Sequence, residues 1–266
     1  TGETDELIKA IAKLNPDSLD VDKLLTYANA LKSKKEFEKA EGIYKRAYDK
    51  APMRCDIPYA YGTLYMSLKK YREAADMFKK KIACDTSAGY QYASNLNAAM
   101  SLMQIKEFKE ARDHTKKAID ARPGDVKAWQ TLAQCYGLME QVSDAITTYK
   151  KVIELATEAN NNGDEGKYNS TLREAYYYIG VQTLRDAIAE KDADKRKAKY
   201  GAVIEYLTKA LQYDPKDCDI LYYLGVSYQN ANNKEKAKSS YNKFLSSCPK
   251  DKRVPEVEKN LKSLGN

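Results

Sequence analysis

The chain has 266 residues, 43% of them hydrophobic and 31% charged, a composition that supports a sizeable core and speaks against a disordered chain. Its 45 Lys and Arg against 38 Asp and Glu leave a net charge of +7. The signs are interleaved, as in Lys34-Lys35-Glu36-Phe37-Glu38-Lys39, which points to a solvated face and away from a nucleic-acid stripe. No apolar run approaches the roughly twenty residues of a membrane span. Thr1-Gly2-Glu3-Thr4-Asp5 lacks the charged start and apolar core of a signal peptide, so a soluble chain is expected, its leader already removed if it is exported.

In chain order, residues 1–20 open with Leu7, Ile8, Ile11, Ala12 and Leu14 ahead of Asn15-Pro16, the pattern of the second helix of an incomplete hairpin. From residue 21 a helical hairpin recurs, and the expected units are 21–54, 55–88, 92–125, 126–159, 173–217 and 218–251. The first helix of each carries one small residue, at Ala28, Gly62, Ala99, Ala133, Gly180 and Gly225. Glycine costs about 1 kcal/mol relative to Ala in a helix interior, so Gly62, Gly180 and Gly225 each mark a close helix approach.

Twelve residues beyond that position, after a polar break, stands a second small residue: Ala40, Ala74, Ala111, Ala145 and Ala237. Four further on comes a larger one: Tyr44, Phe78, Thr115, Tyr149 and Tyr241. Spacings of three and four keep such residues on one stripe of a helix. Pro52, Pro123, Pro215 and Pro249 then stop the hairpins at one phase.

Two departures interrupt the rhythm. Residues 160–172, with Asn160-Asn161-Asn162-Gly163-Asp164, read as an inserted loop. In the fifth unit the small positions, Gly180 and Val203, lie 23 apart instead of 12, and the extra charged stretch Ala189 to Lys197 consists largely of good helix formers. Both helices are therefore expected to run past the stack as a projecting hairpin. Residues 252–266, with Val257, Leu261 and Leu264 after Pro255, fit a terminal helix with one polar face that caps the array.

Four of the five cysteines form two pairs in the same frame, Cys55 with Cys84 and Cys218 with Cys248, 29 and 30 residues apart. The start of the first helix and the finish of the second lie at the same end of an antiparallel hairpin, so each pair is within reach of a disulfide. Two readings follow: bridges, with an oxidising periplasmic or extracellular setting favoured over the cytoplasm, or small apolar filler at a crowded helix end. Cys135, beside Tyr136 in an apolar helix, reads as a buried free thiol.

Little in the sequence offers chemistry. The single histidine, His114, stands among charged residues and is expected on the surface. Neither Cys-x-x-Cys nor paired His spacing occurs, and Gly-rich phosphate loops and serine elbows are missing too. The expectation is a chain with no catalytic residues, no metal and no cofactor. Of the 22 tyrosines, Tyr44, Tyr65, Tyr136, Tyr149, Tyr228 and Tyr241 sit at helix-packing positions.

The recurring unit resembles the tetratricopeptide repeat family, most fully at 126–159 with Trp129, Leu132, Ala133, Tyr136, Ala145, Tyr149 and Ile153. The resemblance spans residues 21–251 and implies an all-α, right-handed superhelical solenoid of about six antiparallel hairpins. It also implies that the first helix of each hairpin lines a concave groove that receives an extended peptide or a partner helix. In this chain that inward stripe takes in Leu25 and Asn29; Tyr59, Thr63 and Met66; Leu96, Met100 and Met103; Lys127, Gln130 and Gln134; Tyr177 and Val181; Tyr222, Val226 and Gln229, with Asn97 beside it.

The expected function is accordingly a protein-interaction scaffold. Its expected partner-binding residues are Tyr59, Thr63, Met66, Asn97, Met100, Met103, Gln130, Gln134, Tyr177 and Tyr222. A carboxylate clamp of the kind some family members use for chaperone tails is incomplete, because Tyr59, Thr63 and Thr131 stand where Lys, Asn and Arg would be needed. The rival reading is an accessory carbohydrate-binding or enzyme-associated helical domain in which the tyrosines stack on sugars. A third alternative is nonspecific nucleic-acid binding through the basic excess, and the open groove itself competes with burial of the stripe within the chain, for instance under the C-terminal helix. Partner identity and oligomeric state stay open at this level.

Overall fold

A computed structural model describes residues 2–12 and 18–265, and these form fourteen α-helices and no strand. The sequence expectations at Leu14, Asn15 and Pro16 lie outside the described residues, as do the side chains of Leu7 and Ala12. Two compact units divide the chain, Thr1–Met139 and Glu140–Asn266.

The first unit contains α1 (Gly2–Ala12), α2 (Val21–Ser33), α3 (Phe37–Lys50), α4 (Asp56–Ser67), α5 (Tyr71–Cys84), α6 (Ala88–Gln104), α7 (Phe108–Ala121) and α8 (Val126–Leu138). Helices α2/α3, α4/α5 and α6/α7 pair as hairpins, and each hairpin packs on the next through α3/α4, α5/α6 and α7/α8. Asp20 and Asp125 start α2 and α8 by accepting hydrogen bonds from the Lys23 and Ala128 amides, which satisfies donors that a helix start leaves open.

The expected pair of small residue and large residue meets in space. A Cβ built on Gly62 would lie 3.0 Å from the Phe78 ring, so α4 and α5 approach closely because Gly62 offers no side chain where Phe78 needs room. Phe78, Tyr44, Leu24, Leu31, Ile57, Leu64 and Leu102 are fully buried there.

The second unit contains α9 (Val142–Asn161), α10 (Asn169–Ala189), α11 (Ala193–Tyr213), α12 (Cys218–Asn230), α13 (Lys234–Ser247) and α14 (Val254–Gly265). The inserted loop is shorter than the expected 160–172, for α9 continues through Asn161 and α10 begins at Asn169. Gly163 and Gly166 turn the chain between them at φ +112° and +78°, values that side chains resist. Both α10 and α11 reach 21 residues, and 191–198 at their tip are exposed, as the charged stretch foretold. Asp192 begins α11 by accepting from the Lys195 amide. At the end of the chain, α14 lays Val257 and Leu264 against Leu221, Tyr241 and Phe244.

The turns inside the hairpins were not foreseen. Lys35, Lys69, Lys106, Glu140 and Asn232 all adopt φ between 58° and 64°, at one phase of the repeat. Each left-handed residue lets the chain reverse after a single helical end. The next amide closes the turn on the preceding helix: Glu36 to Leu31, Lys70 to Tyr65, Glu107 to Leu102 and Asn233 to Tyr228, at 2.8 to 3.0 Å, the bond pattern of a Schellman cap.

Cys55 is bonded to Cys84 and Cys218 to Cys248, with Cα separations of 5.7 and 6.0 Å, inside the range a disulfide requires. Cys135 is free and buried; burial pushes its thiol up to about 11, which makes it unreactive at neutral pH.

Candidate functional site

In the first unit, three successive first helices, α4, α6 and α8, face one cleft of about 300 Å³. Met66 comes from the last turn of α4, and Met100, Met103 and Gln104 come from α6. Lys127, Thr131 and Gln134 come from α8, and Tyr71 closes the end at the start of α5. Positions three, four and seven apart along each helix bring these side chains to one side.

One wall is thioether, the other amide and ammonium. Methionine side chains adapt to irregular apolar partners because they are unbranched and polarizable. The Thr131 hydroxyl is committed to the Lys127 carbonyl at 2.8 Å, and Lys127 Nζ donates to Gln130 Oε1 at 3.5 Å.

Four of the ten expected partner-binding residues, Met66, Met100, Met103 and Gln134, thus share the cleft. Others sit elsewhere in the same unit. Tyr59 receives a hydrogen bond from Asn97 Nδ2 at 3.2 Å, and its ring meets Phe78 and Tyr90 edge-on at 5.7 and 6.1 Å. It borders a separate depression of about 320 Å³ with Ser87, Gly89, Tyr90, Ala93 and Arg122. Thr63 accepts from Lys32 Nζ at 3.0 Å and donates to the Ala60 carbonyl. Gln130 is 7% exposed and is not part of the cleft lining.

Tyr177 and Tyr222 lie in the second unit. Tyr177 faces Tyr223 at 6.4 Å, and burial pushes its phenol up to about 12. Tyr222 donates to Glu256 Oε1 at 2.7 Å, and the Arg253 guanidinium lies 4.9 Å from its ring. At this tyrosine α14 and the residue before it supply contacts from within the chain.

His114 departs from expectation. Its side chain is only 11% exposed, and Nδ1 is 2.8 Å from Asn95 Oδ1 on α6. Burial, with Lys117 nearby, lowers its pKa against the opposing pull of Glu110, and the ring forms part of the α6/α7 contact. Among the described residues no three metal-ligating side chains gather.

Tyr71 and Gln104 belong to the cleft without having been singled out. Their signal was positional: the last turn of a first helix and the first turn of the next helix meet at the same end of a hairpin. The cleft therefore extends past the inward stripe to the turn itself.

Comparison with known proteins bears on the repeat. A family model described as tetratricopeptide repeat matches residues 126–158, and a second of the same description matches residues 219–251. Two stretches of the chain thus match the tetratricopeptide repeat. No curated protein matches its sequence. The solved structure of MamA MSR-1 is 21% identical with a TM-score of 0.54, aligned over 59% of this chain and 90% of that one. A tetratricopeptide repeat protein from Parabacteroides merdae is 13% identical at 0.55, over 99% and 91%. A chain of the APC/C hetero-tetramer Cut9-Hcn1 is 12% identical at 0.53, over 99% and 46%. At these identities the likeness is one of fold, and it agrees with the stacked hairpins of both units.

Within the matched repeat 126–158 the motif residues do the packing that their spacing announced. Trp129 donates its indole N–H to the Pro123 carbonyl at 2.7 Å, tying α8 to the end of the preceding hairpin. Ala133, Ala145 and Tyr149 are buried.

Proposed function

We propose that this repeat protein is an interaction scaffold without a catalytic role, and that it holds an extended peptide or partner helix in the cleft of α4, α6 and α8. One observation carries the reading: Met66, Met100 and Met103 meet Gln134 and Lys127 around an open space of about 300 Å³. That space matches one or two bulky apolar side chains. Gln104 on the lining adds hydrogen-bonding capacity for a guest's backbone, and Lys127 favours a neighbouring acidic group. The bridged cysteines support an oxidising compartment, periplasmic or extracellular, as the place where this happens.

Tyrosines that would make a sugar platform are engaged within the chain, Tyr177 by Tyr223 and Tyr222 by Glu256. That favours peptide over carbohydrate. Selection of a displayed random-peptide library on the immobilised protein, followed by affinity measurement on Met100→Glu, tests the proposal. Selected peptides with apolar anchors should lose about tenfold or more in affinity. Peptides that bind the variant equally well would move the site off this cleft.

A further inference from the structure

The two disulfides occupy the same frame of their hairpins but differ in the surroundings of the sulfurs. In the first bridge Cys84 is exposed and Cys55 half-buried. In the second, Cys248 is 5% exposed and Cys218 is half-buried between Asp217 and Asp219.

Exchange with a thiol requires a thiolate to reach one sulfur while the other leaves as thiolate, and a leaving group of lower pKa departs faster. At the first bridge the more exposed residue is Cys84, at the end of α5. The departing one is Cys55, which sits at the N-cap of α4, where the helix dipole stabilises a thiolate. At the second bridge these advantages are reversed. Attack at Cys218 meets a half-buried residue, and the leaving sulfur would be the buried Cys248 at the C-terminal end of α13, the end that disfavours negative charge.

We propose that Cys55–Cys84 is a reducible latch on the helix that carries Met66, while Cys218–Cys248 is a permanent staple of the C-terminal hairpin. The reductant is a dithiol. One of its thiolates attacks Cys84 Sγ, the Cys55–Cys84 bond breaks, and Cys55 leaves as a thiolate that takes up a proton. The second thiol of the reagent then displaces Cys84 from the mixed disulfide, so the protein gains two electrons and two protons while the reagent becomes a cyclic disulfide. Opening frees the start of α4 from the end of α5, and only the consequence for a guest in the cleft rests on the function proposed above.

The test treats folded protein with increasing dithiothreitol, traps free thiols by alkylation and maps them by peptide mass spectrometry, with hydrogen exchange followed in parallel. Cys55 and Cys84 should be released at least about tenfold faster than Cys218 and Cys248, and exchange should quicken in α4 and leave α12 unchanged. Equal or reversed release of the two bridges overturns the proposal, as does α4 exchange that ignores the opening. Neither readout uses a peptide, so failure here leaves the cleft reading standing, and failure of the cleft reading leaves the thiol map standing.

Discussion

Gly225 of α12 lies directly under the ring of Tyr241 of α13, so close that a methyl group on Gly225 would overlap the ring. The same relation joins Gly62 to Phe78, and it joins Gly180 to Leu207, whose Cδ2 would lie 2.7 Å from a Cβ on the glycine. In the lengthened fifth unit Leu207 falls four residues after Val203, so the rule of small residue and large residue survives the longer hairpin.

Replacing Gly225 with Ala should therefore destabilise the protein. Overpacking costs about 1–3 kcal/mol, and the helix-propensity gain of about 1 kcal/mol recovers only part of it. Gly201 of α11 has nothing within 4 Å of its built Cβ, so Gly201→Ala should raise stability by up to about 1 kcal/mol. Urea midpoints of the two variants should move in opposite directions, and a shared direction would remove the packing explanation.

The left-handed turns offer a gain. Lys69 holds φ 58°, a conformation that costs a side-chain-bearing residue about 1–2 kcal/mol and glycine nearly nothing. After the greater unfolded-state freedom of glycine is subtracted, Lys69→Gly should stabilise by about 0.5–1 kcal/mol. Asn232→Gly should gain less, since asparagine visits this region readily. Thermal unfolding of the pair measures the difference.

Thiol counting checks the covalent frame. Unfolded without reductant, the chain should present one titratable thiol, Cys135, because the other four cysteines are bonded. Changing Cys218 and Cys248 to Ser should lower stability by about 2–4 kcal/mol, the usual effect of releasing a closed loop of this length. Five thiols in the first measurement would contradict the bridges outright.

Alkaline titration reads the packed phenols. Burial pushes Tyr177 and Tyr241 up to about 12, so from pH 10 to 12 the folded chain holds protons that the unfolded chain has lost. Stability should fall as pH rises through that window. Ultraviolet absorbance of phenolate should show a late class of tyrosines that ionises together with loss of helical circular dichroism. Ionisation of every tyrosine near pH 10 with helicity intact would contradict their burial.

The helices were legible because two periodic requirements coincide in the letters: Ala74 and Phe78, or Ala237 and Tyr241, fix both the helical spacing and the face that packs. The cysteine pairs were legible for a related reason, since equal frames place both members at one end of a hairpin. The left-handed turns left no trace, for Lys35, Lys69 and Lys106 are residues that do not announce positive φ. His114 misled through its charged neighbours in sequence, although Ala111 three residues before and Ala118 four after mark the inward side. Exposure of the tyrosine stripe could not be read from single helices, because the partner of Tyr222 lies on α14, more than thirty residues away. The methionine cleft was half legible: the stripe gave Met66, Met100 and Met103, and only the turn geometry adds Tyr71 and Gln104.

The α10/α11 hairpin ends in a tip, residues 191–198, whose side chains are all exposed. Nothing in the interior depends on those side chains, so the tip is a natural splice point: a tag, a fluorophore or a second binding module inserted there would ride on two 21-residue helices while the hydrophobic contacts beneath stay as they are.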